Sequence, residues 1–267
     1  MTEDELGLRL RVAEEAMRMA SERALALFRE HASLTVERKG LQDVVSRADR
    51  EVEALLRDRI GRAFPRDSFL GEEYGGEGGD SLWVIDPIDG TANFLRGVPY
   101  WSCTLAYVRN GELLLALTSD PVHGELFAAV RGRGTTRNGR PVRASSVSKA
   151  EDACVGLSYT FRVPPQRYLG TVQRLLEAGF DHRRMGSVAL SLAHVADGRL
   201  DAALTLDTHA WDVLPGLLLV AEAGGRATLW RDGDDLTRTR AAAAAAPGIA
   251  RLVSELTGIA MDFGPQR

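Results

Sequence analysis

Residues Leu82 to Phe94 read LWVIDPIDGTANF. The first four are strand formers in an apolar run, and Asp86-Pro87 closes it. A strand ending at Asp86 carries that carboxylate to the C-terminal rim of a sheet, Pro87 bends the chain, and Asp89 follows three residues later, so both acids can face one point. Gly90 permits close backbone approach. A helix starting near Thr91 would aim unbonded N–H groups and its positive dipole end at an anion. Carboxylates beside such a helix start describe a site for a metal-bridged phosphate. Asp-Pro and Asp-Gly are also ordinary turn dipeptides, so the segment by itself supports a turn and a site equally.

Working outward, Gly71-Glu72-Glu73 follows an expected strand at Ser68 to Leu70, and Trp211-Asp212 precedes a helix of almost uniformly apolar residues. Taken singly, Glu72 reads as a solvated loop acid and Asp212 as a helix N-cap. Upstream, apolar residues at helical spacing predict one helix from Leu6 to about Glu30 and a second from about Ser46 to Ala63, with Ser46 as N-cap and Asp49 in its first turn. Downstream, strands are expected at Cys103 to Arg109, Glu112 to Thr118 and Glu125 to Val130, with turns at Asn110-Gly111 and Asn138-Gly139. Around residues 141 to 152 the chain becomes rich in Ser and charge, which divides it into an α+β N-terminal lobe (1–148) and an α/β C-terminal lobe (149–267). The second lobe alternates: a strand at Cys154 to Leu157, helices at about Gln166 to Ala178 and Ser187 to Asp197, a strand at Ala202 to Leu206, and a helix at about Val213 to Ala223 closed by Gly224-Gly225. The six alanines at 241–246 are read as a tightly packed strand, with Pro247 at the first position of a final helix.

The composition bounds the function. The 267 residues carry 33 Lys+Arg against 37 Asp+Glu, a formal net charge of -4, and 45% are hydrophobic, enough for one large domain or two packed lobes. The basic charge is almost all scattered Arg, Lys39 and Lys149 being the only lysines, so no stripe for nucleic acid forms. The charged N-terminus does not read as a secretory signal, and no apolar run is long enough to span a bilayer. A cytoplasmic protein is expected, with Cys103 and Cys154 as buried free thiols. There is no G-x-S-x-G elbow (Met185 to Ala189 reads MGSVA), no Walker loop and no H-E-x-x-H.

Together, G-E-E at 71–73, W-V-I-D-P-I-D-G-T-x-N-F at 83–94, W-D at 211–212 and E-A-G-G at 222–225 form an ordered set, joined by V-S-x-A-D at 45–49 and R-x-G-S at 184–187. The sequence resembles the inositol monophosphatase family of metal-dependent, lithium-sensitive phosphatases, over nearly its whole length. The resemblance implies a layered αβαβα sandwich and a homodimer. It makes Glu72, Asp86, Asp89 and Asp212 metal ligands, with the carbonyl of Ile88, and assigns phosphate to the N–H groups of Gly90 and Thr91. Asp49 would pair with the Thr91 hydroxyl to orient and deprotonate the attacking water, with Glu72 beside them.

An all-oxygen donor set favours a hard cation, Mg²⁺. Four carboxylates and a dianionic phosphate require at least two ions, with a third on substrate binding. In inositol-preferring members an acid seven residues before the W-D aspartate binds substrate hydroxyls; here it is Thr205, with Asp207 the nearby alternative. His209, Arg184, Ser187 and the segment Ser158 to Thr160 are further candidates for substrate contact. Inositol 1-phosphate is the expected substrate. Histidinol phosphate, 3'-phosphoadenosine 5'-phosphate and fructose 1,6-bisphosphate are alternatives, and a non-catalytic regulatory partner is the reading of another class. The four ligand acids equal the net charge of -4 in number, so the excess negative charge has one address.

Overall fold

The computed structural model of the chain describes residues 3–31, 36–40, 43–76, 78–230 and 235–262, with 36–46 described by backbone alone. In chain order the first half contains α1 (Glu3–Arg29), the hairpin β1 (Val36–Gly40) and β2 (Asp43–Ser46), then α2 (Arg47–Ala63), β3 (Ser68–Gly71), β4 (Ser81–Asp89) and the single turn α3 (Thr91–Phe94). Five further strands follow: β5 (Ser102–Arg109), β6 (Glu112–Asp120), β7 (Glu125–Val130), β8 (Thr135–Arg137) and β9 (Arg140–Val142). Strands β3 to β9 form one sheet in sequential order, antiparallel except for the β3–β4 pair. Both expected turns hold two left-handed residues, Asn110 and Gly111 at φ 49° and 75°, Asn138 and Gly139 at φ 50° and 73°, as a two-residue hairpin requires. The Ser46 side chain expected to cap α2, and Glu77 of the glycine-rich loop, lie outside the described residues.

The second half contains β10 (Cys154–Ser158), α4 (Pro165–Glu177), β11 (Asp181–Arg183), α5 (Val188–Ala196), β12 (Ala202–Thr208), α6 (Ala210–Glu222), β13 (Arg226–Ala227), β14 (Arg240–Ala245) and α7 (Ala250–Thr257). The strand order is β11-β10-β12-β14-β13. The layers run α1/α2, seven-stranded sheet, α5/α6, five-stranded sheet, α4/α7. Alternation along the strands builds them. On β4, Trp83 and Ile85 pack with α1 and α2, while Leu82 and Val84 pack with α5 and α6. The alanine run is a strand for the same reason: Ala242 and Ala244 face α5 and α6, and Ala243 and Ala245 face α4 and α7. At these four positions the strand lies between two helical layers, each alanine being 2% exposed or less. Gly216 of α6 answers to the same constraint, since a Cβ on it would lie 2.4 Å from Cβ of Leu192 on α5. Gly216→Ala should therefore destabilise the protein by about 2 kcal/mol, overpacking outweighing the gain in helix propensity, read as a lower midpoint in chemical denaturation at unchanged slope.

Three expectations change. β4 does not stop at Asp86-Pro87 but runs to Asp89, because Pro87 lies beyond the last β3 pair, Gly71 with Ile85, where no ladder bond needs its N–H. α6 begins at Ala210, not Val213, so Asp212 sits at its third position with its carboxylate turned back to the N–H of His209. α7 begins at Ala250, not Pro247: Gly248 is pressed against the backbone of Val147 and Ser148, and Ile249 and Ala250 both donate to the carbonyl of Ala246 in a tight turn first. Of the cysteines, Cys103 is buried as expected, while Cys154, the first residue of β10, is only half-buried. Among the described residues no helix is long and apolar enough to cross a membrane.

Candidate active site

Side chains three apart on a regular strand point to opposite faces, so Asp86 and Asp89 need a device to meet. The register supplies it: Asp86 pairs with Thr104 and Asp89 with Ser102, three residues on β4 against two on β5. One extra residue, a bulge, puts both carboxylates on the side facing α5 and α6. Asp86 is 1% exposed and its Oδ1 accepts from the N–H of Ile88 at 3.0 Å. Gly90 then turns the chain at φ 98°, and a Cβ there would come within 3.3 Å of both Ser187 and Trp101. This left-handed residue opens α3, whose first N–H groups have no acceptor inside the turn.

The other candidate site residues arrive from three further elements, β3, α6 and α2. Glu72 follows β3 and donates its N–H to the carbonyl of Ile85 at 3.2 Å, which sets it beside Asp86. Asp212 comes from α6, its Oδ2 accepting from the Thr208 hydroxyl at 2.5 Å and the His209 N–H at 3.1 Å. Asp89 reaches across to the start of α5, where its Oδ2 accepts from the Ser187 hydroxyl at 2.5 Å and the Ala189 N–H at 2.7 Å. Asp49, in the first turn of α2, accepts from the Thr91 hydroxyl at 3.2 Å. The same hydroxyl lies 3.0 Å from the carbonyl of Ile88, which keeps a second lone pair for another partner.

The electrostatics follow from crowding. Burial, then the charges of Glu72, Asp89 and Asp212, push the Asp86 carboxyl well above the usual range. Burial and the Asp212 charge push Asp89 up to about 7, against the hydrogen bonds from Ser187 and Ala189. Asp212 is raised by burial too, against the Thr208 hydroxyl. Like charges gathered in a site that resists ionisation are what a polyvalent cation relieves. The donors are all oxygen, so the set fits a hard divalent ion.

Asp89 and Asp212 open onto a cleft of about 720 Å³, also lined by Arg184 and Thr205, a volume suited to a small ligand. Ser187 does not face this cleft: it is fully buried, caps α5 through the N–H of Leu190 and holds Asp89. His209 heads α6 and stacks on Trp211 with ring centroids 4.4 Å apart. Neither Thr205, which stands where inositol-preferring members have an acid, nor the nearby Asp207 is without a partner. Thr205 donates its hydroxyl to the carbonyl of Asp207 at 3.1 Å, and the Asp207 carboxylate is paired with Arg162 at 2.7 Å. Glu53, which the sequence reading passed over, is fully buried on α2 next to this site; its signal was a carboxylate four residues after Asp49 at the edge of an apolar helical stripe. A second group, Asp120, Glu125 and His194, also presents ligand atoms within 4.8 Å of one another, but Glu125 is tied to Arg137 and Arg199 and Asp120 to His123.

The family model described as the inositol monophosphatase family matches residues 8–258. An inositol-1-monophosphatase of Rhizobium meliloti is 39% identical over 206 residues, covering 75% of this chain and 77% of that protein. A Nus factor SuhB of Pseudomonas aeruginosa is 38% identical over 225 residues, covering 81% and 83%. The crystal structure of the extragenic suppressor protein suhB from Bartonella henselae superposes with a TM-score of 0.87 at 31% identity, over 93% of this chain and 97% of that one.

Proposed function

The chain belongs to the inositol monophosphatase family and is a phosphoric monoester hydrolase, and from that premise we propose that it releases phosphate from inositol 1-phosphate with Mg²⁺ held by Glu72, Asp86, Asp89, Asp212 and the carbonyl of Ile88. The observation that carries the metal reading is the gathering of Glu72, Asp89 and Asp212 about the buried Asp86, whose carboxyl their charges and its burial push well above the ordinary range, a repulsion that a divalent ion would neutralise. Bound Mg²⁺ supplies the charge that lowers the pKa of an attacking water and offsets the phosphate and leaving oxygens. The chain's own residues do the rest. Asp49 takes the Thr91 hydroxyl hydrogen bond at 3.2 Å, which leaves the lone pairs of Thr91 Oγ1 to accept from a water and aim it. The proton then has an acceptor in Asp49. The N–H groups at the head of α3 receive the phosphate, and Ser187 with the start of α5 fixes Asp89.

Two observations favour further readings. Asp207 is neutralised by Arg162, and Arg96 and Arg184 line the same cleft, a wall better suited to a second anionic group than to neutral hydroxyls. The similarity to a protein named Nus factor SuhB raises a regulatory partner role beside catalysis. One assay ranks the substrates: phosphate release with Mg²⁺ from inositol 1-phosphate, histidinol phosphate, 3'-phosphoadenosine 5'-phosphate and fructose 1,6-bisphosphate. Inositol 1-phosphate is expected to turn over, with EDTA abolishing release and tens of millimolar Li⁺ inhibiting it. Faster release from the two substrates that carry a second phosphate, 3'-phosphoadenosine 5'-phosphate and fructose 1,6-bisphosphate, would move the substrate assignment, and no release from any of the four would overturn the catalytic reading and leave the partner role.

A further inference from the structure

Glu53 is the buried acid that this chemistry does not use. It is 0% exposed, in the middle of α2, and a charged side chain is left in such a place only when its partners are complete. Those partners are specific. Oε2 accepts from the N–H of Glu73 at 2.8 Å, and Oε1 accepts from the Arg57 guanidinium at 2.7 Å and the N–H of Tyr74 at 3.4 Å. Arg57, one helical turn on, donates a second bond to the carbonyl of Gly75 at 2.5 Å and lies over the rings of Phe69 and Tyr74. Gly71 makes the approach possible, because a Cβ there would lie 2.0 Å from the Glu53 carboxylate.

The loop gripped in this way is the one that carries Glu72. Its N–H is fixed by Ile85 on β4, and the two following N–H groups are fixed by Glu53. Asp49, Glu53 and Arg57 stand at successive i, i+4 positions, so one helix face serves both the Thr91 hydroxyl and the Glu72 loop. We infer that Glu53, with Arg57, is a positioning residue that clamps the 72–75 loop on α2 and so holds Glu72 in register for the metal. The inference rests on the metal assignment above. Beside the clamp, the bridge between Gly71 and Gly75 and the Glu72 N–H bond to Ile85 tie this turn; without the clamp the Glu73 and Tyr74 N–H groups and the Gly75 carbonyl lose the partners named above, and Glu72 loses that support for its place beside Asp86.

The test uses Mg²⁺ alone as probe, by calorimetric titration and by the melting temperature of the full chain in EDTA and in Mg²⁺. Wild type is measured first; absence of any Mg²⁺ effect there would overturn the metal assignment and not the clamp. Given that effect, Glu53→Gln should weaken Mg²⁺ binding about tenfold or more, because the amide meets at least one donor with another donor. Excess Mg²⁺ should largely restore kcat, so the loss falls on the metal requirement. Gly71→Ala, which evicts the carboxylate without altering its chemistry, should give the same phenotype, and the double variant no more than either. A merely structural residue would lower both melting temperatures equally and leave Mg²⁺ affinity intact. That result in whichever of the two variants folds sinks the clamp.

Discussion

Asp86→Asn is expected to cut turnover at saturating Mg²⁺ by about three orders of magnitude or more, while raising the melting temperature of the metal-free protein. The two effects have one cause. Asp86 is buried and pressed by the charges of Glu72, Asp89 and Asp212, so its ionised form is costly in the empty fold. Asn has nearly the same shape and keeps an oxygen for the Ile88 N–H that Asp86 Oδ1 now satisfies at 3.0 Å. Asn opens no cavity and has neither a charge to repel its neighbours nor a proton to take up on folding. The same charge is what the metal needs, and losing several kcal/mol of transition-state stabilisation corresponds to about a thousandfold in rate. Asp212→Asn should behave alike, though less stable than Asp86→Asn, because both donors on its Oδ2, the Thr208 hydroxyl and the His209 N–H, exchange a charged acceptor for a neutral amide oxygen. Steady-state phosphate release and melting in EDTA check both halves. A variant that keeps turnover, or that melts lower than wild type in EDTA, would contradict the assignment.

What the sequence made legible follows from the range of each interaction. The segment 82–94 announced itself because its chemistry is local: strand, proline, second aspartate, glycine and helix start lie within 13 residues. The alanine strand was legible because Pro247-Gly248 denied the run a helical continuation, although its physical reason, packing between two helical layers, shows only in the fold. The bulge was not legible. It exists in the register of β4 against β5, and no pattern within β4 states which partner residue Asp89 will face. Ser187 was read as a substrate contact because its motif lies near the site, but a hydroxyl can serve a ligand or a neighbouring carboxylate, and which it does depends on Asp89, 98 residues away. Glu53 was the hardest case, since a glutamate at the border of an amphipathic helix reads as solvated until the loop that buries it is placed.

Mg²⁺ should raise the melting temperature, and the rise should grow as pH increases from about 5 to 8. For the metal-free chain, burial and like charge set the Asp89 carboxyl at about 7 and Asp86 well above the ordinary range, against about 3.9 for an unfolded Asp. Between those values the folded state binds more protons than the unfolded one, so its stability falls with rising pH: the contribution is complete below about 4 and is lost as pH climbs through the folded values. His194 works the other way. Burial sets it down to about 4, so the fold gains stability as pH rises from there to the unfolded value near 6.5, and His182 is lowered in the same direction. Taking the difference between melting temperatures with and without Mg²⁺ removes the histidine contribution, which both samples share. What remains is competition between protons and metal for one set of carboxylates. At Mg²⁺ near 100 times its dissociation constant the stabilisation is about 2.7 kcal/mol, or roughly 5 to 10 °C for a chain of this size. At pH 5 protons hold the site and most of that shift should vanish. A shift that stays constant over this range would mean that the metal binds elsewhere than among Glu72, Asp86, Asp89 and Asp212.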